Sequence, residues 1–101
     1  MTEPLVFRGP EGSITVTVGA LTRLVAHAAQ GVDGARVRRP KRAVDVTWGE
    51  GRASVSLGLS ARHGMPLSVL ARAVQERVAD AVAAVSGLEV DRVDVDIDEV
   101  V

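Results

Sequence analysis

From Gly12 onward the hydrophobic positions follow two periods. Ile14, Val16 and Val18 alternate with Thr15 and Thr17, the period-2 pattern of a half-buried strand. Leu21, Leu24, Val25 and Ala28 then recur at helical spacing and predict an amphipathic helix over 19–30. Gly31 stands where a residue able to take positive φ can close that helix. The stretch 35–42, interrupted by Pro40, reads as a short strand ending in a turn. Val44, Val46 and Trp48 alternate with Asp45 and Thr47, and Ala53, Val55, Leu57 and Leu59 alternate with Ser54, Ser56, Gly58 and Ser60. With Gly49-Glu50-Gly51 between them, these two runs predict a β-hairpin.

Pro66 suits the first turn of a helix, where its missing N–H is no loss. Beyond it Leu67, Leu70, Val74, Val78, Ala81, Val82 and Val85 trace one helical face, opposite Arg72, Gln75, Glu76 and Asp80, and Gly87 ends the pattern. Val93, Val95 and Ile97 alternate with Asp94, Asp96 and Asp98, a final strand with one apolar and one acidic face. The expected fold is α+β: a single domain over 12–101, ordered β-α-β-β-β-α-β, with two helices packed on one face of a small, mostly antiparallel sheet. Residues 1–11 carry two prolines and no periodicity, and read as a flexible N-terminal tail. A shift of 53 residues aligns Val32-Asp33-Gly34 with Val85-Ser86-Gly87, a faint echo that any two helix-to-strand junctions can share.

Composition narrows the function. The 101 residues are 47% hydrophobic but 2% aromatic, with Phe7 and Trp48 the two rings, and 19 Val and 14 Ala supply the core. Few rings are present to stack bases or cage a cofactor, and the lack of Cys excludes disulfides, thiolate nucleophiles and cysteine metal sites. No cofactor is expected. The opening Met1-Thr2-Glu3-Pro4 is acidic where a secretory signal is basic, and no apolar run approaches the ~20 residues of a spanning helix. A soluble, cytoplasmic chain without direct membrane insertion is the expectation.

No constellation points to catalysis. His27 and His63 stand alone, without a second ligand at metal-binding spacing, and read as solvated. Ser54 and Ser56 are polar strand positions with no nucleophile elbow around them. Asp94, Asp96 and Asp98 have the spacing that opens a calcium loop, but Glu99 occupies the position that needs Gly, so they read as the outer face of a strand. Gly31 and Gly34 have the spacing of a nucleic-acid-binding GxxG loop, yet join a helix to a strand rather than two helices.

Charge is more informative. Residues 36–42 hold Arg36, Arg38, Arg39, Lys41 and Arg42 and sum to +5, while residues 89–99 hold six acids and Arg92 and sum to −5. The formal net charge of −1 is a cancellation between segments. Two readings stay open: neighbouring strands whose polar faces cross-pair, or opposed surfaces that join one subunit to the next head to tail. The candidate interaction residues are therefore Arg36, Arg38, Arg39, Lys41 and Arg42 on one side and Asp94, Asp96 and Asp98 on the other.

The residues Gly12-Ser13-Ile14-Thr15-Val16, Ala26 to Ala29 and Gly31 to Gly34, then His63-Gly64-Met65-Pro66-Leu67, Ala73 to Val78, Gly87-Leu88-Glu89-Val90 and Val93 to Ile97, resemble the bacterial alkaline-shock protein family of envelope-stress proteins. The likeness spans roughly residues 12–98. His63 stands where the family pattern has Tyr, and the run Arg38 to Arg42 looks particular to this chain. The resemblance implies a non-enzymatic structural or scaffolding protein, inclined to homo-oligomerise, that lies near the inner face of the membrane through a small membrane-anchored protein partner. It carries over no catalytic residue. The alternative is a nucleic-acid-binding module using segment 36–42, which the net charge and scarcity of rings disfavour.

Overall fold

The structure, a computed structural model, describes residues 4–101. Two strands, β1 (Leu5–Gly9) and β2 (Gly12–Val16), lead into helix α1 (Val18–Gln30). The chain continues through β3 (Ala35–Arg36), a short helical turn α2 (Pro40–Ala43), β4 (Val44–Gly49), β5 (Arg52–Ala61), α3 (Leu67–Ser86) and β6 (Glu89–Val100). The fold is α+β, as the periodicities predict, with one strand and one short helix more than the sequence suggests.

Of the expected tail over 1–11, residues 1–3 lie outside the described residues, and Leu5–Gly9 is a strand instead. Leu5–Gly9 pairs antiparallel with Gly12–Val16, Phe7 opposite Ile14, in a two-stranded sheet separate from the main one. Its alternation is masked because Val6 and Phe7 are adjacent apolar residues and both are exposed. The added helix arises at Pro40, which suits a first helical position, after Arg39 takes a left-handed conformation at φ 49°.

The main sheet is built around β5. β4 pairs antiparallel with Arg52–Leu57 of β5, and β3 pairs antiparallel with Ser60 and Ala61. Because β6 pairs with β5 over its whole length, β3 and β4 must share the other edge, one after the other. β6 runs parallel to β5: the 20-residue helix α3, ~30 Å long, carries the chain back to the end where β5 began, so Arg52 lies opposite Glu89.

Three apolar rows cross the sheet beneath the helices: Val44–Leu57–Val95, Val46–Val55–Val93 and Trp48–Ala53–Val90. Against them α1 buries Leu21, Val25, Ala26 and Ala29, and α3 buries Leu70, Val74, Val78 and Val82. The α3 stripe is narrower than its periodicity predicts, since Leu67 and Val85 are exposed. Buried Ser86 extends it, donating to the Val82 carbonyl at 2.6 Å and accepting from Leu88 N–H at 3.2 Å. Gln75 Nε2 donates to the Val93 carbonyl at 3.0 Å and ties α3 to β6.

The helix ends divide by mechanism. Thr17 caps α1, its hydroxyl accepting from Ala20 N–H at 3.1 Å. Gly87 closes α3 at φ 72° as expected, but Gly31 closes α1 at φ −69° and the left-handed turn falls at Gly34, φ 91°. Gly34 and Gly87, the glycines that the 53-residue shift aligns, thus share the same backbone hand.

Candidate functional site

The face of the sheet away from the helices is open and polar. Asp45 and Thr47 of β4, Ser54, Ser56 and Gly58 of β5, and Asp94, Asp96 and Asp98 of β6 lie on it, with Asp45, Ser56 and Asp94 in one row across three strands. The period-2 alternation dictates this: with Val93, Val95 and Ile97 turned toward the helices, the intervening aspartates face outward. Two irregularities in the β5–β6 ladder place Asp91 and Asp98 as extra residues on β6. Asp98 folds its carboxylate over Gly58, where the missing side chain leaves room.

Arg92 holds Asp94 at 2.9 Å, while among the described residues no cation is within ion-pair distance of Asp45, Asp96 or Asp98. Mutual repulsion between these carboxylates is tolerable because all are solvated. The three aspartates sit in an extended strand, not in a calcium loop, and no cluster of three His, Cys, Asp or Glu suited to a metal occurs among the described residues.

The cations occupy the opposite edge of β5. Arg36 lies across from Ser60, which is itself across from Glu99, so a whole strand separates the basic segment from β6. The reading in which the two charged strands are neighbours is therefore corrected. Among the described residues one ion pair spans the gap, Arg38 to Glu99 at 3.7 Å, between exposed side chains. Val37, buried, turns inward and throws Arg36 and Arg38 outward. Arg39, Lys41 and Arg42 are exposed on and beside α2, and with Arg36 they meet no carboxylate at ion-pair distance among the described residues. Lys41 and Pro40 also border an open cleft beside the first turn of α1, together with Thr17, Gly19 and Arg23.

The Gly31–Gly34 loop is occupied by its own chain. Arg62 clamps Asp33 with two bonds of 3.0 and 3.2 Å, and the Arg62 backbone N–H donates to the Gly34 carbonyl at 2.8 Å. Met65 packs so closely that a β-carbon at Gly34 would meet its side chain at 3.0 Å. No local pattern marks this clamp, which joins positions 29 apart. His27 and His63 are exposed, as are Ser56 and the acidic residues around it.

A family model described as having a cell envelope-related function, that of the alkaline shock protein 23 family, matches residues 35–101, two thirds of the chain. The chain belongs to the alkaline shock protein 23 family. Both charged surfaces fall inside the matched part, and the family's function is related to the cell envelope. The β1–β2 hairpin and α1 precede the match. No curated protein and no solved structure gave a match. No helix among the described residues is long and apolar enough to cross a membrane.

Proposed function

We propose that this member of the alkaline shock protein 23 family is a non-enzymatic scaffold of the cell envelope, acting through protein–protein association at the inner face of the cytoplasmic membrane. The observation that carries the reading is the separation of an acidic open sheet face from a basic corner with a β-strand between them. Among the described residues Arg38 and Glu99 make the one ion pair between the two segments, while Asp91 pairs with Arg52 and Asp94 with Arg92; Asp45, Asp96 and Asp98 on the acidic face and Arg36, Arg39, Lys41 and Arg42 at the basic corner keep their charge for another molecule. A second copy satisfies both at once, and a head-to-tail contact of this kind propagates into a ring or filament. A small membrane-anchored protein partner would hold such an assembly at the envelope.

Sedimentation over a salt series tests the assembly. Oligomers larger than a dimer are expected at low ionic strength and should dissolve as salt screens exposed charges beyond a Debye length of ~8–10 Å. Reversing the basic corner with R39E, K41E and R42E together should abolish them, and reversing D96K and D98K in the same chain should restore them. An unchanged mass distribution across salt and in the reversed chains would remove the head-to-tail reading. Salt-sensitive binding of single-stranded or duplex nucleic acid by the wild-type chain, lost in the basic-corner variant, would replace it with the nucleic-acid alternative.

A further inference from the structure

The β1–β2 hairpin is the least accounted-for part of the molecule. The described fold measures 52 × 22 × 21 Å, elongated for its size. Within the hairpin Leu5 and Val16 pack against the core, while Val6, Phe7 and Ile14 are 46, 42 and 67% exposed. Leu5, Phe7, Ile14 and Val16 share one face of the two-stranded arm, since Leu5 pairs with Val16 and Phe7 with Ile14. A hairpin of two strands is marginal in water unless further strands or a packing surface support it.

Exposed area gives the scale of what is missing. The chain exposes 6582 Å², on the order of 1,000 Å² more than the roughly 5,500 Å² expected of a globular monomer of its mass. One partner's share of a standard interface is about 800 Å². The edges differ in kind as well. The outer edge of β6 carries Asp91, Asp94, Asp96 and Glu99, and β4 carries Asp45, charges that discourage edge pairing. β1, Leu-Val-Phe-Arg-Gly, bears a single charge and among the described residues pairs only with β2.

We propose that β1 pairs antiparallel with β1 of a second copy, about a twofold axis through Phe7, to make a four-stranded sheet in which the order is β2, β1, the partner's β1, the partner's β2. The strand is self-complementary in this register. Phe7 meets the partner's Phe7, Val6 meets the partner's Arg8 and Leu5 meets the partner's Gly9, so no like charges are opposed. A two-residue turn closes on a hydrogen-bonded pair, here Gly9 and Gly12. Alternation then makes Phe7–Ile14 a bonded pair and leaves the backbone groups of Val6 and Arg8 pointing at the free edge. Those groups bond the partner strand, while the two Phe7 residues form the close, unbonded pair with Cα atoms ~4.5 Å apart. One continuous row of Ile14, Phe7 and the same two residues of the partner results, a cross-strand aromatic pair at its centre. This inference rests on the self-association proposed above and names a second contact for it, one centred on the apolar Phe7 and Val6 with Arg8 its one charged residue per strand, and which therefore survives in high salt.

The chain has no cysteine, so a single introduced thiol reports its own symmetry mate. Phe7→Cys, oxidised, should give a covalent dimer, because the expected Cα separation lies within disulfide range. Val69→Cys, on the exposed surface of α3, should stay monomeric on a non-reducing gel. In sedimentation at high salt the wild type should run at twice the 10.6 kDa chain mass, and Phe7→Lys and Val6→Lys, each with an unchanged circular dichroism spectrum, should run as monomers. A wild-type monomer at high salt, at concentrations up to the millimolar range, overturns the arm pairing. So does cross-linking of Ile14→Cys in place of Phe7→Cys, which would put β2 on the dyad. Dimers that survive Phe7→Lys but dissolve in salt overturn it while leaving the charged-surface reading intact. A salt-stable dimer without larger low-salt oligomers does the reverse.

Discussion

Asp98 lies over Gly58 on the open face of the sheet, its Oδ2 filling the space that a β-carbon at position 58 would take. Gly58 is in the middle of the central strand and needs no left-handed conformation. Its glycine character therefore serves the neighbour and not its own backbone.

Gly58→Ala is accordingly expected to be mildly stabilising. Glycine in a strand interior is worse than alanine by roughly 0.5–1 kcal/mol, and the obstacle is the movable end of an exposed side chain with no cation at ion-pair distance among the described residues. Urea unfolding should show a gain of up to ~1 kcal/mol, and the double variant with Asp98→Ala should show the same gain without the displaced carboxylate. A loss greater than ~1 kcal/mol in the single variant would mean that Asp98 is held in place.

The β4–β5 turn carries a replaceable strain. Glu50 and Gly51 both have positive φ, 54° and 77°, the backbone of a two-residue turn that favours Asn-Gly. Glutamate pays the left-handed penalty that asparagine largely avoids, so Glu50→Asn should raise stability by about 1 kcal/mol. Gly51→Ala should lower it by a similar amount. Thermal midpoints moving in the same direction for both variants would contradict the turn geometry.

Helix α3 separates two leucines that its sequence pattern treats alike. Leu70 is 2% exposed and Leu67 41%. Leu70→Ala should cost about 2–5 kcal/mol through lost burial and a cavity, whereas Leu67→Ala should stay within about 1 kcal/mol. Equal losses in denaturant titrations would show that the helix is rotated from the orientation described.

Ser86 closes the same helix from inside. Its hydroxyl serves both the Val82 carbonyl and the Leu88 N–H. Ser86→Ala leaves that N–H without its acceptor in a half-buried place, and about 1–2 kcal/mol of destabilisation is expected. Hydrogen exchange at the Leu88 amide should accelerate in the variant; unchanged exchange would show that the hydroxyl is dispensable.

Local patterns were legible wherever one face is buried and the other wet. The alternation at 44–59, the helix ended by Gly87 and the acidic outer face of 93–98 all follow from periods of 2 and 3.6, and each has its place in the structure. The pattern failed at Leu5–Gly9, because the consecutive apolar residues Leu5, Val6 and Phe7 hide any alternation. It also failed at Pro40–Ala43, where a four-residue turn is too short to display a helical period. The candidate cations and carboxylates were legible as charge runs, but the position of β5 between them was not.

Residue pattern alone was enough for the fold class, the family, the small-residue core and the division of charge into a basic and an acidic segment. Packing in three dimensions alone set the parallel return of β6 to β5, the separation of the two charged segments by β5, the clamp of Arg62 on Asp33, and the exposure of Val6, Phe7 and Ile14 on the β1–β2 arm. Periodicity is a property of neighbours a few residues apart, set by the repeat of one element. Strand order and ion pairing join residues tens of positions apart, and depend on which closed packing buries the most apolar surface.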